Sequence, residues 1–93
     1  MNQMDKYLIV IEKGDVGFSA YSPDVWGCVA TGDTIEETAQ LMQDTLYRHI
    51  DNLLEDGEPI PLPRGLEAYH EALEESEGEE YFLTYIPLPF VLT

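Results

Sequence analysis

Ser22-Pro23-Asp24-Val25-Trp26-Gly27-Cys28-Val29-Ala30-Thr31-Gly32-Asp33-Thr34-Ile35-Glu36-Glu37-Thr38 compresses a loop, a strand and a helix start into seventeen residues. Pro23 fixes its own φ and pushes Ser22 towards extended backbone, so a preceding strand ends there. Gly27 and Gly32 are the positions where positive φ is cheap. Between them, Cys28-Val29-Ala30-Thr31 is small and partly β-branched, suited to a short strand. Thr34 followed by Glu37 has the spacing of a capping box, in which Thr34 accepts from the Glu37 N–H and Glu37 reaches back. Acids at Glu36 and Glu37 suit the positive end of the helix dipole.

Outward from this stretch the chain reads as alternating sheet and helix. Tyr7–Glu12 is an apolar, β-branched run of strand length, and Lys13-Gly14-Asp15-Val16-Gly17 supplies turn chemistry before a second strand, Phe18–Tyr21. With Cys28–Thr31 as the third strand, the start of the chain is an antiparallel meander. Ile35, Ala39, Met42, Leu46, Ile50, Leu53 and Leu54 then recur at steps of three and four, with His49 beside them. That stripe predicts a helix over residues 35–56, ended by Gly57 in the left-handed conformation and by Pro59. Glu58-Pro59-Ile60-Pro61-Leu62-Pro63 is extended, a crossover back to the sheet in preference to a docking ligand. Leu66–Glu75 reads as a second helix with Leu66, Tyr69 and Leu73 on its apolar side, and Glu67, Glu71, Glu74, Glu75 and Glu77 around the rest. Glu80–Ile86 is the fourth strand, stopped by Pro87 and Pro89. The expected fold is α+β, in the order β-β-β-α-α-β: an antiparallel sheet covered by a long helix, forming a single domain over residues 1–93.

Gly17-Phe18-Ser19-Ala20-Tyr21, Pro23-Asp24-Val25-Trp26-Gly27-Cys28, Gly32-Asp33-Thr34-Ile35-Glu36-Glu37 and Asp56-Gly57-Glu58-Pro59-Ile60-Pro61 occur in order. Together they resemble the HicB-like antitoxin family, whose pattern is roughly Gly-aromatic, Pro-Asp-Leu-Pro-Gly-Cys, Gly-Asp-Thr-x-Glu-Glu, a long helix and Asp-Gly-x-x-x-Pro. The similarity covers about residues 5 to 63, and Phe82-Leu83-Thr84-Tyr85-Ile86-Pro87 resembles the family's last strand. Val25-Trp26 stands where the family usually has Leu-Pro. The resemblance implies a truncated ribonuclease-H-like layer of sheet and helix. It makes Pro23, Gly27, Cys28, Gly32, Asp33, Thr34, Glu37 and Gly57 structural motif positions.

Charge is the most informative part of the composition. Nineteen acids against four bases give a formal charge of −15. Such a field repels phosphate backbones and accelerates encounter with basic partners, so direct nucleic-acid binding is not expected. Solubility alone is the competing explanation. No apolar run reaches the ~20 residues that span a bilayer, and the first residues are no signal peptide. One cysteine excludes an internal disulfide and fits a reducing cytoplasm, the expected location.

Candidate chemistry is sparse. A ribonuclease-H-type metal site needs acids at the centre of the first strand, where this chain has Leu8-Ile9-Val10. Cys28 lies in acidic surroundings that raise a thiol pKa, so it reads as a buried motif residue and not a nucleophile. His49 reads as a packing residue, His70 belongs to the acidic helix, and no zinc ligand set exists. No catalytic residue, metal or cofactor is expected. Trp26 is the leading interaction residue, because indoles concentrate at the energetic centres of interfaces; folding back over the sheet edge is the alternative.

The resemblance implies an antitoxin that performs no chemistry and occludes a HicA-like toxin, a small basic protein that cleaves messenger RNA. Tentative partner contacts are Trp26 and Asp24 in the loop and Glu67, Glu71, Glu74 and Glu75 on the second helix. A stand-alone dimeric HicB-like regulatory or scaffold module is the alternative, and a residual metal-dependent ribonuclease the third reading. Many family members append an operator-binding domain; the seven residues after the fourth strand are too few for one, so operator binding is not expected. A homodimer or higher oligomer is expected, with the fourth strand or the apolar Phe90-Val91-Leu92 packing on a neighbour.

Overall fold

Five consecutive residues, Tyr7 to Ile11, are fully buried, and that run determines the architecture. Side chains of a strand alternate between faces, so a strand buried at every position must be covered on both. In the computed structural model, which describes residues 6–76 and 80–89, this strand is β1 (Lys6–Lys13). It is followed by β2 (Phe18–Tyr21), β3 (Val29–Gly32), α1 (Ile35–Glu55), α2 (Leu66–Ser76) and β4 (Tyr81–Pro87). The sheet is antiparallel in the order β3-β2-β1-β4, so the last strand pairs with the first and lies at one edge.

Tyr7, Ile9 and Ile11 point to one face, where they join Ala20, Ala30, Cys28 and Ile86 against Met42, Leu46 and Ile50 of α1. Leu8 and Val10 point to the other, where they pack on Ala68 and Ala72 of α2 with Tyr21, Tyr81 and Leu83 around them. The α+β class and element order are those the sequence predicts, with one correction: the sheet is covered on both faces, not by the long helix alone.

Several local expectations hold at the atomic level. The Glu37 N–H donates to Thr34 Oγ1 at 3.0 Å, capping α1. The reciprocal bond from Glu37 to the Thr34 N–H is not formed among the described residues, so the capping box is half made. At the other end Gly57 has φ 70°, its N–H donates to the Leu54 carbonyl at 3.2 Å, and Glu58 N–H donates to Leu53 at 2.9 Å. This is the Schellman arrangement that a left-handed glycine permits.

Other expectations are corrected. Gly32 is an ordinary strand residue and does not have positive φ; a Cβ there would lie 2.7 Å from Thr38 Oγ1. It is glycine because α1 crosses closely above it. Thr38 is wholly buried and turns its hydroxyl back to the Thr34 carbonyl at 2.7 Å, so it belongs to the inward stripe of α1. Leu54 does not; in the last turn it is 54% exposed. On α2 the expected apolar side is reversed. Ala68 and Ala72 face the sheet, and Leu66, Tyr69 and Leu73 face solvent, with Leu66 74% exposed. Alanines let the helix axis approach β1 closely, and larger side chains are displaced outward. Residues 5, 77 and 90–92, to which a strand end, part of an acidic run and an apolar tail were assigned, lie outside the described residues.

Candidate partner-binding face

The site begins with a missing ladder bond. β2 pairs with β1 only from Val10↔Tyr21 onward, because the chain leaves the sheet at Ser22-Pro23. Leu8, which would face position 23, is left with a buried N–H and no strand to receive it. Asp24 takes it: Leu8 N–H donates to Asp24 Oδ2 at 3.1 Å. The other oxygen, Oδ1, accepts from the Arg64 backbone N–H at 3.0 Å and from Arg64 Nε at 3.4 Å. Asp24 is therefore not available as a surface contact; its side chain is 1% exposed and ties β1, the loop and the crossover together.

Arg64 completes the junction from the far side. Its guanidinium donates to the Pro23 carbonyl at 2.6 Å and to Glu71 Oε2 at 2.6 Å, drawing α2 towards the loop. The hydrogen bond to Glu71 keeps its pKa above the ordinary arginine value. Tyr21 makes a second link, donating to Glu75 Oε2 at 3.0 Å. Burial first, and then that bond, push the Tyr21 phenol far above its usual value. On the other side of the sheet, Tyr7 donates to the Pro61 carbonyl at 2.7 Å, so the proline-rich segment is a structural crossover. Burial, with the nearby Asp24 carboxylate, pushes the Tyr7 phenol up to about 12.

These links place the acidic flank of α2 beside the loop and leave a cleft between them. It is lined by Tyr21, Pro23, Val25, Trp26, Val29, Glu71 and Glu75, among others. Trp26 stands at its rim, 85% exposed, on a turn carried by Gly27 at φ 85°. The indole is thus presented to solvent and does not fold over the sheet edge. Val29, on the same sheet face as Tyr21 and 67% exposed, extends the apolar rim. Of the four glutamates singled out from sequence, Glu71 and Glu75 line this cleft. Glu67 is exposed on the same helix, and Glu74 turns to solvent with His70 at 2.8 Å. Sequence reasoning missed Arg64, Tyr21 and Val29 as parts of this surface. A lone arginine just before an acidic helix was the available signal.

The cleft offers exposed aromatic and aliphatic surface next to carboxylates, which is binding chemistry. Cys28 beneath it is buried, and burial pushes its thiol pKa up, away from reactivity. No group of three or more His, Cys, Asp and Glu suited to holding a metal ion occurs among the described residues, and none of their helices is long and apolar enough to cross a membrane. Fold and site together define a small sheet-and-helix module with an open cleft between its loop and second helix.

Comparison with known proteins names the family. Residues 7–87 match the family described as the HicB_like antitoxin of bacterial toxin-antitoxin systems, and the chain belongs to it. It is 32% identical over 80 residues to an uncharacterized 14.9 kDa protein in the rep-hol intergenic region of Haemophilus phage HP1 (strain HP1c1). That match takes in 86% of this chain and 58% of the phage protein, so the chain spans little more than half the length of that relative. Among solved structures, a HicA3 and HicB3 toxin–antitoxin complex superposes with a TM-score of 0.72 at 27% identity, over 91% of this chain and 99% of the matched one. The N-terminal domain of the Burkholderia pseudomallei antitoxin HicB shares the fold, with a TM-score of 0.71 at 24% identity, over 89% of this chain and 99% of that one.

Proposed function

We propose that this protein is a non-enzymatic antitoxin that neutralises a basic, HicA-like toxin by covering its RNA-binding surface. The observation that carries the reading is the position of an 85% exposed Trp26 at the rim of a cleft whose far wall is the acidic flank of α2. A desolvated indole supplies slow dissociation, and carboxylates around it supply fast, steered encounter. With a net charge of −15 the chain repels RNA and attracts a protein built to bind RNA. Membership of the antitoxin family, and a structural relative described as part of a toxin–antitoxin complex, support the same assignment. The protein then acts in the cytoplasm, where messenger RNA and the toxin are, and needs no cofactor.

The test separates the two contributions. Glu67, Glu74 and Glu75 are changed together to glutamine, leaving Glu71 on Arg64, and binding to a HicA-like toxin from the same genome is followed by stopped flow. The expected result is a lower association rate with a flatter salt dependence, since exposed charges are screened over about 8–10 Å at physiological ionic strength. Trp26→Ala is expected to leave association nearly unchanged and to speed dissociation by roughly 30-fold, the size of a 2 kcal/mol hot spot. Failure of the parent protein to bind or silence any such toxin refutes the reading and leaves a stand-alone regulatory module.

A further inference from the structure

We propose that the cleft beside Trp26 is a socket for one arginine side chain of the partner protein, with the Trp26 indole and the Glu75 carboxylate as its two recognition groups. This deepens the antitoxin reading and rests on it only for the protein that supplies the arginine.

Size excludes the larger occupants. The cleft offers about 210 Å³, below the roughly 300–1,000 Å³ of sites that enclose a whole small molecule, so one long side chain is what it holds. Its walls change character across the gap. Pro23, Val29 and the 85% exposed Trp26 form the loop and strand side, and Glu71 and Glu75 form the helix side. An occupant therefore needs an apolar stem and a positively charged head.

The charges of the helix side call for a single cation. Glu71 already has a cationic partner, since Arg64 Nη2 donates to its Oε2 at 2.6 Å. Glu75 has none among the described residues; the Tyr21 hydroxyl that donates to its Oε2 at 3.0 Å is neutral and holds the carboxylate in place. One uncompensated carboxylate thus shares the cleft with an exposed indole. Both attract a cation, the carboxylate by its charge and the indole by the negative face of its ring. Of the two basic side chains, arginine fits better. Its planar, weakly hydrated guanidinium stacks on an indole and forks onto a carboxylate, whereas a lysine ammonium must shed tightly held water against the apolar wall. The neighbouring Glu71 shows the same preference within the chain, taking the guanidinium of Arg64.

Trp26 is the only tryptophan of the chain, so its emission reports on the socket directly. The full chain is titrated with the tripeptide acetyl-Gly-Arg-Gly-amide and with counterparts carrying lysine or citrulline, the latter keeping the shape of arginine without its charge. A saturable change in emission is expected with the arginine peptide, with lysine weaker and citrulline weaker by about tenfold. Glu75→Gln, which still accepts from Tyr21 through its amide oxygen, is expected to weaken the arginine peptide by about tenfold and to erase its advantage over citrulline. Asp51→Asn removes the same charge from α1, on the opposite face of the sheet, and is expected to change nothing. In a HicA-like toxin, arginines changed one at a time to lysine are expected to single out one position whose loss is not additive with that of Glu75→Gln. Equal binding of the three peptides, a Glu75→Gln protein that binds as the parent does, an equal loss in Asp51→Asn, or a bound toxin with no arginine coupled to Glu75 each overturns the proposal. The last of these leaves the antitoxin reading standing. Selective binding of the arginine peptide by a protein that binds no HicA-like toxin does the reverse, leaving the socket and assigning it to another arginine-bearing protein.

Discussion

The two flanks of α2, a helix of eleven residues, have opposite characters. One carries Glu67, Glu71 and Glu75 towards the loop, where Arg64 and Tyr21 hold the last two in hydrogen bonds. The other carries Leu66, Tyr69 and Leu73 towards solvent. Between them, among the described side chains of this helix, only Ala68 and Ala72 are buried, so little of that surface is used to hold the fold. A helix held so lightly by the core leaves both remaining sides at the surface. By contrast α1 spends Thr38, Met42, Leu46 and Ile50 on the core and packs mainly over β2 and β3. The difference separates a helix used chiefly for the core from one that leaves most of its surface exposed.

The contrast can be broken first at the junction under the acidic flank. Asp24→Ala strands the Leu8 and Arg64 N–H groups and frees a partly buried guanidinium. It is expected to cost about 3–5 kcal/mol, measured by urea unfolding. Leu46→Ala, in the middle of α1, is expected to cost roughly 2–5 kcal/mol through its cavity, whereas Leu73→Ala on α2 is expected to stay within about 0.5 kcal/mol. Equal losses at those two positions would erase the distinction between the helices. Gly32→Val is expected to lose about 1–3 kcal/mol by overpacking against Thr38, and Gly32→Ala less, a gradient that a purely conformational role would not produce.

Alkaline pH sharpens the same comparison at smaller amplitude. The Tyr7 phenol is raised to about 12 in the folded protein, from 10.0. The folded state then keeps a proton that the unfolded chain releases, so the stabilisation is complete below pH 10 and is lost as pH rises towards 12. Tyr7→Phe is expected to cost about 1 kcal/mol at neutral pH by removing the bond to Pro61, and to flatten part of this alkaline loss. Tyr21→Phe is expected to flatten a further part. The smallest effect on stability is expected at Trp26→Ala, within about 0.5 kcal/mol for so exposed a side chain.

What the sequence revealed and what it hid follow from the same physics. The stripe of α1 and its Gly57 stop were legible because a long helix over a sheet must repeat its apolar residues at 3.6-residue spacing. The α2 face was misread because size was taken as a guide to burial; at a close helix–sheet contact the small residues go inside. Gly32 was readable as constrained, but its constraint is Thr38 across the interface and not its own backbone. Asp24 looked like a surface acid in a loop, since nothing local announces that Pro23 has left the Leu8 N–H without a strand partner. Trp26 was undecided until the turn at Gly27 showed where the indole points.

The union of β1 with β4 has a consequence for how the chain is made. Synthesis runs from the N-terminus, so β1, β2, β3 and α1 exist before the residues that close the second layer. At that stage Tyr7, Ile9 and Ile11 already have α1 to pack against, while Leu8 and Val10 face water. Asp24 waits for Arg64, and one edge of β1 is bare. The strand partnering of Leu8↔Tyr85 and Val10↔Leu83 joins residues more than seventy positions apart, and the cover from Ala68 and Ala72 comes from only a little nearer. Contacts so distant form slowly, because a long loop must close before they are gained. The nascent chain therefore passes through an interval with its central strand half clothed, and cleavage in the crossover during that interval would leave a fragment unable to finish its own sheet.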